Sequence, residues 1–223
     1  MTKLSAKLVA VTQPVVGTPA SGPEDLIAYC ARVSSDRPQE EWGKDYEGLL
    51  NYCKRNKHWS VFEMADAIVE IEAPRDISRQ LLRHRSFSFQ EFSQRYSDGI
   101  QLTSREFREQ DDTNRQNSID SFSSSTKFQL HELVKEIMEK MGFTYTSLRD
   151  VGVAKECARV ILPEGLTMSK LFMKGSLRSW IHYLNVRDDP GVTQHEHVEL
   201  ARKIREAILP AFPTVLSTPE DTS

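Results

Sequence analysis

The chain has 223 residues, about one and a half times the ~150-residue prior for a domain, of which 39% are apolar and 27% charged. That mixture excludes a disordered, collagen-like or disulfide-scaffold chain and is long enough for one large core. Lys and Arg total 29 against 32 Asp and Glu, a net charge of −3, which argues against a general nucleic-acid binder because phosphate-driven affinity needs a basic surface.

No apolar run approaches the ~18 residues of a membrane span, and the first eight residues carry no apolar stretch ahead of a cleavage site. A cytoplasmic protein with no membrane partner is therefore expected. Cys30, Cys53 and Cys157 are few, far apart and odd in number, so neither a disulfide framework nor a cysteine zinc site is supported.

Residues 7–12 (KLVAVT) predict a short strand, and a Pro/Gly/Ser segment over 13–23 leads into a helix with Leu26, Ile27 and Cys30 on its apolar side. Over 45–55, Tyr46, Leu49, Leu50 and Cys53 fall at i, i+3, i+4 and i+7, one face of a second helix. Residues 65–73 (ADAIVEIEA) alternate as a strand, with Glu70 and Glu72 on one face, Val69 and Ile71 on the other, and Pro74 as its stop. Residues 75 to about 84 predict a helix that buries Ile77, Leu81 and Leu82 and sets Arg75, Arg79 and Arg83 on one stripe.

Residues 104–126 are polar apart from Phe107, Ile119 and Phe122, which predicts a long loop or lid. A helix follows over 127–148, marked by Leu130, Val134, Ile137, Met138 and Met141. Leu177, Trp180, Ile181 and Leu184 mark another, and Val198, Ala201, Ile204 and Ile208 a last one. The predicted organisation is one helix-rich α+β domain over 1–216, with a frayed tail over 217–223.

No G-x-G-x-x-G stands in the sequence, so a Rossmann dinucleotide fold has no support. His195-Glu196-His197 is not read as a metal site, because two residues along a helix turn the imidazoles about 200° apart. A solvated helix start is the expectation there, and no metal is expected anywhere in the chain.

The most informative stretch is 83–96, Arg83-His84-Arg85-Ser86-Phe87-Ser88-Phe89-Gln90-Glu91-Phe92-Ser93-Gln94-Arg95-Tyr96. Guanidinium forks suit bidentate phosphate or carboxylate recognition, hydroxyls add neutral donors, and Glu91 can accept from a sugar hydroxyl or orient an arginine. That variety suits a nucleotide better than a bare anion. Taken alone, the stretch reads equally well as a charged helix followed by a polar loop.

Arg83-His84-Arg85, seven residues and then Ser93 resembles the signature of the flavin-dependent thymidylate synthases. Ala31-Arg32-Val33-Ser34, His58-Trp59-Ser60-Val61-Phe62-Glu63, Ala158-Arg159-Val160-Ile161-Leu162-Pro163 and the run from Leu177 to Arg187 resemble the family's other blocks, in its order. The resemblance implies a helix-rich domain with a small mixed or antiparallel sheet. It also implies a homotetramer with active sites shared between protomers, converting dUMP to dTMP with FAD, NADPH and 5,10-methylenetetrahydrofolate, with no nucleic acid as partner. The family's chemistry needs no cysteine nucleophile, and this sequence has no Pro-Cys-His motif of the classical thymidylate synthases.

By the same resemblance, Gln80, Leu81, Leu82, Arg83, Glu91, Phe92, Ser93, Gln94, Arg95, Arg159 and Arg187 match positions that hold dUMP. Arg187 is the catalytic candidate, set against the pyrimidine. Ser34, Ser60, Arg83, His84, Arg85, Glu91, Ser176, Leu177, Arg178 and His182 match positions that contact FAD, and His58 a histidine near flavin and folate. Ser176 and His182 stand where many members carry Asn, and Gln90 and Gln94 where Asn and Gly are common. The competing readings are a non-catalytic nucleotide or RNA binder that stacks bases on Phe87, Phe89, Phe92 and Tyr96, and a flavin or folate enzyme of other chemistry.

Overall fold

The computed structural model describes residues 3–34, 46–96 and 99–217, and at its centre four antiparallel strands stand in the order β1-β2-β6-β3. These are β1 (Ser5–Val11), β2 (Asp66–Pro74), β3 (Ser88–Glu91) and β6 (Met168–Ser176). Period-two alternation in β2 buries Ala67, Val69, Ile71 and Ala73 on one face. The register sets Leu8 opposite Val69, and Val69 opposite Met173. The other face carries the charges, where Lys170 reaches Glu70 and Glu72 at 3.1 and 3.4 Å and Lys174 reaches Asp66 at 3.2 Å.

Helices cover the apolar face: α3 (Arg75–Leu81), α6 (Leu177–Arg187) and α7 (His195–Ile208) all contact its strands. Leu177, Trp180, Ile181 and Leu184 from α6, and Val198, Ala201, Ile204 and Ile208 from α7, are buried as their spacing predicts. At one end α1 (Pro23–Ala31) and α2 (Tyr46–Arg55) pack on each other, and α2 contacts the short C-terminal α8 (Pro213–Leu216). The buried Glu24 carboxylate accepts from Thr214 N and Val215 N, satisfying the first amides of α8.

The fold class is α+β, as expected, and several elements differ from the sequence reading. The helix after Pro74 ends at Leu81, one turn early, so Arg83 leaves the stripe of Arg75 and Arg79. Residues 104–123 are held down: Arg105 Nη1 donates to Asp76 Oδ1 (2.8 Å) and Gly165 O (2.9 Å), and β4 (Glu109–Gln110) pairs with β5 (Ser118–Ile119). The long helix α4 runs Ser124–Asp150, begun by Ser123, whose hydroxyl accepts from Thr126 N. Short α5 (Lys155–Ala158) follows it. Strands β3 and β6 have no counterpart in the sequence reading. Asp45 of the second predicted helix and residues 218–223 of the predicted tail lie outside the described residues.

Candidate active site

The turn from Leu82 to Phe87 presents the Arg-His-Arg sequence, and its shape follows from one aromatic anchor. His84 N bonds Leu81 O at 3.0 Å and Phe87 N bonds His84 O at 3.2 Å, so the chain reverses tightly after α3. Phe87 is buried edge-on to Trp180, ring centroids 4.7 Å apart, and lies over Gly175 of β6. A Cβ on Gly175 would stand 2.4 Å from the Phe87 ring, so only glycine leaves room for it. The anchor leaves Arg83 and Arg85 exposed and His84 half-buried between them.

His84 meets Arg187, the last residue of α6, whose Nε donates to His84 Nε2 at 3.0 Å. Burial first, then the charges of Arg187, His182 and Arg83, push the His84 pKa down to about 4. The imidazole is therefore neutral at pH 7, accepting at Nε2 and holding the Arg187 guanidinium in place. Among the described residues no carboxylate lies within ion-pair distance of Arg83, Arg85, Arg159 or Arg187. In a chain of net charge −3, four arginines of the matched motifs thus have no carboxylate partner among the described residues, and three of them stand around one turn and helix end.

Behind Arg187 a buried polar chain connects α6, α7 and α3. Tyr183 Oη lies 3.2 Å from His197 Nε2, His197 Nδ1 lies 3.0 Å from Gln80 Oε1, and Gln80 Nε2 donates to Gln194 Oε1 at 2.8 Å. Gln194 Nε2 then donates to Glu196 Oε2 at 3.0 Å. Burial opposes the Glu196 charge, but the hydrogen bond from Arg108 (2.7 Å) and the charges of Arg108 and Arg105 outweigh it and hold the carboxyl below the usual range. Burial, with the charge of Arg187, pushes the His197 pKa down to about 3, and burial keeps the Tyr183 phenol protonated. The solvated helix start expected at 195–197 is thus half right. His195 is exposed and pairs with Glu199 at 3.3 Å, whereas Glu196 and His197 are buried.

A cleft of about 550 Å³ opens between α6 and the 3₁₀ turn Trp59–Glu63, lined by Trp59, Glu63, Ser86, Arg178, Ser179 and His182 among others. It gathers Arg178 and His182 with the neighbours of Ser60 and Arg85; Arg178 Nη1 donates to Glu63 Oε1 at 3.1 Å. Ser60 and His58 are exposed beside it, His58 edge-on to Tyr52 at 5.7 Å, and Ser34 is exposed at the end of another 3₁₀ turn. The Ser176 hydroxyl is engaged as the N-cap of α6, accepting from Ser179 N at 3.3 Å. Leu81 and Leu177 are core residues, so anything they offer a ligand is backbone. A larger hollow of about 680 Å³ between residues 104–108, the start of α4 and α7 is lined by none of the expected site residues.

The remaining expected residues make no hydrogen bond or ion pair with His84 or Arg187. Glu91 lies at the end of β3, where Ser169 Oγ donates to it at 2.9 Å and Arg75 and Arg79 approach at 3.8 and 3.5 Å. Its carboxylate thus faces two arginines of α3. Phe92 and Ser93 are half-buried beyond it, Gln94 is buried, and Arg95 pairs with Glu156 of α5 at 3.4 Å, both more than half exposed. Arg159 follows α5. Phe87 lies in the core and Phe89 packs against it, so a base-stacking platform loses two of its four aromatics. No group of three or more His, Cys, Asp or Glu able to hold a metal occurs among the described residues.

Sequence reading missed Tyr183, Gln194, Glu196 and His197 as parts of this site. A signal for His197 was present: Leu200, Ala201, Ile204 and Ile208 stand three, four, seven and eleven residues on, which places it on their buried stripe.

Comparison with known proteins places nearly the whole chain among relatives of one family. The profile of the Thy1 family, described as thymidylate synthase complementing protein, matches residues 15–214. A flavin-dependent thymidylate synthase of Synechocystis sp. is 48% identical, covering 97% of this chain and 100% of that protein. A probable flavin-dependent thymidylate synthase of Paramecium bursaria Chlorella virus 1 is 42% identical, covering 95% of this chain and 97% of that one. Among solved structures, the UMP/dUMP methylase PolB from Streptomyces cacaoi bound with 5-Br dUMP superposes with a TM-score of 0.79 at 25% identity, covering 96% of this chain and 94% of its own. The chain belongs to the Thy1 family.

Proposed function

We propose that the chain is a flavin-dependent thymidylate synthase that converts dUMP to dTMP. The observation that supports this most is Arg187, a guanidinium fixed by neutral His84 and left without a carboxylate partner among the described residues, in a chain that aligns end to end with a protein of that name. A fixed cation beside the pyrimidine stabilises negative charge that spreads onto the ring as C5 becomes nucleophilic. No side-chain nucleophile is required for that, consistent with the absence of Cys30, Cys53 and Cys157 from the matched motifs.

When bound, FAD reduced by NADPH supplies a hydride, and 5,10-methylenetetrahydrofolate supplies the methylene carbon. Over the reaction the C5–H bond of dUMP breaks, its hydrogen leaves as a proton, a C5–CH3 is formed and tetrahydrofolate is released. The residues fit such a cofactor. Arg83, Arg85 and Arg178 suit a pyrophosphate, and the cleft beside Trp59 and His182 is open enough to admit part of a dinucleotide. Gln80, Arg95, Arg159 and Ser93 are assigned to dUMP, with Arg95 at its phosphate. Residues 1–216 are read as one catalytic domain.

A second protomer completes the site in this reading. Among the dUMP-assigned residues, Glu91 to Arg95 make no hydrogen bond or ion pair with the side chains of Gln80, Arg83 or Arg187. α4 also exposes Phe128, Leu133, Ile137 and Phe143, an apolar surface suited to another copy of the chain and thus to a homotetramer.

The test uses dUMP tritiated at C5. Release of tritium to water that requires FAD, NADPH and methylenetetrahydrofolate together, with dTMP formed in equal amount, is the expected result. Bound flavin without tritium release or dTMP would overturn the reading.

A further inference from the structure

The buried chain behind Gln80 has one consistent set of hydrogen-bond directions, and a carboxylate fixes it. Glu196 is ionised and can only accept, so Gln194 must present its Nε2 to Glu196 and its Oε1 to Gln80. Gln80 then donates to Gln194 through Nε2, which turns its Oε1 toward His197. Two acceptors cannot face each other, so His197 must carry its proton on Nδ1. Nε2 of His197 is left to accept from the Tyr183 hydroxyl. Reversing any one amide or the imidazole tautomer would set donor against donor or acceptor against acceptor along a chain whose Glu196 and His197 are buried.

We propose that Glu196, Gln194 and His197 are positioning residues for the substrate-binding amide of Gln80, locking it in one orientation before dUMP arrives. The inference rests on the assignment of Gln80 to dUMP made above. The chain reaches back to Arg108, whose guanidinium bonds Glu196 Oε1 at 2.7 Å, Ser118 Oγ at 2.9 Å and Glu106 Oε2 at 2.7 Å. The 104–123 segment therefore supports the same amide from outside. An unlocked Gln80 would populate both amide flips and several rotamers, and dUMP binding would have to select one of them.

The experiment measures dUMP KM and kcat in the full-length, flavin-loaded protein for His197→Phe, which keeps ring volume, and for Gln194→Met, which keeps length. Each is expected to raise the dUMP KM about tenfold, with kcat changed less than threefold and the KM for methylenetetrahydrofolate unchanged. His197→Asn, whose Nδ2 lies near the position of imidazole Nδ1, is expected to restore KM to within threefold of wild type. In a Gln80→Ala background, His197→Phe should add nothing further to the dUMP KM, whereas a general structural role would add the same loss in both backgrounds. If His197→Phe fails to fold, Gln194→Met decides by itself. Wild-type protein without dUMP-dependent turnover overturns the proposed function and this inference with it. Wild-type turnover with an unchanged dUMP KM in the variants, or equal losses with and without Gln80, overturns this inference alone.

Discussion

α7 and α4 are both amphipathic helices, and they reach opposite ends. The 14-residue α7 buries seven side chains, among them Leu200, Ile204 and Ile208, against the sheet and α6. The 27-residue α4 has Tyr145 as its one buried residue and leaves Phe128 at 65%, Leu133 at 58% and Phe143 at 75% exposure. A helix forms from local periodicity, but its stability in water comes from the surface it covers, and α4 covers little of its own chain. The difference separates what one chain satisfies by itself, the sheet, the polar chain behind Gln80 and the Arg187 anchor, from the apolar side chains that α4 leaves exposed.

Truncating one apolar residue at the same position along each helix, buried in α7 and exposed in α4, tests that contrast most directly. Ile204→Ala should cost about 2–5 kcal/mol in urea unfolding, while Leu133→Ala should stay within about 0.5 kcal/mol in dilute, dissociated protein. Leu133→Glu should instead act on assembly, lowering molecular mass in light scattering and making turnover depend on protein concentration. Equal stability losses in α4 and α7 would show that α4 is packed by its own chain.

On the self-satisfied side, Arg187→Lys should lower turnover about 100-fold, roughly 2.7 kcal/mol, while flavin stays bound. An ammonium cannot donate to His84 and face a pyrimidine with the geometry of a planar fork. Retained turnover would remove Arg187 from the catalytic assignment. Gly175→Ala should cost about 1–3 kcal/mol, because the new methyl displaces the Phe87 ring that seats the Arg-His-Arg turn. Thermal unfolding with flavin binding as a second readout checks it.

A smaller effect follows from the two buried histidines. His84 and His197 titrate near 4 and 3 when folded, against an ordinary 6.5, so the unfolded chain takes up their protons first as pH falls. Their contribution to stability is complete above pH 6.5 and is lost progressively down to those values, at up to about 1.4 kcal/mol per pH unit for each histidine. Near pH 5, His197→Phe should reduce the pH dependence of the unfolding free energy by about one proton. An unchanged slope would mean that His197 is protonated or solvated in the folded protein.

The helices and the central strand β2 were legible because their signals are local. Val69 and Ile71 alternate with Glu70 and Glu72, and the α6 and α7 stripes repeat cleanly. β6 also alternates, with Lys170 and Lys174 on one side and Leu171 and Met173 on the other, but Phe172 on the charged side blurs the period. β3 was hidden inside the polar arginine stretch, since its strand character depends on pairing with β6 some eighty residues away. The Arg-His-Arg turn and Arg187 were found through motif resemblance, whereas their contact through His84 is a matter of tertiary packing. The polar chain escaped notice because Gln194 and Glu196 look like surface residues, and only the fold brings them and His197 within hydrogen-bonding reach of Gln80.

If this site makes dTMP at the expense of reduced flavin, one anaerobic experiment shows it directly. FAD-loaded protein is reduced with NADPH, mixed with dUMP and methylenetetrahydrofolate, and followed by flavin absorbance and by quantifying dTMP. One dTMP is expected per flavin reoxidised, with neither event occurring when dUMP or the folate is omitted. Flavin that stays reduced in the complete mixture, or that reoxidises without dTMP, would contradict it.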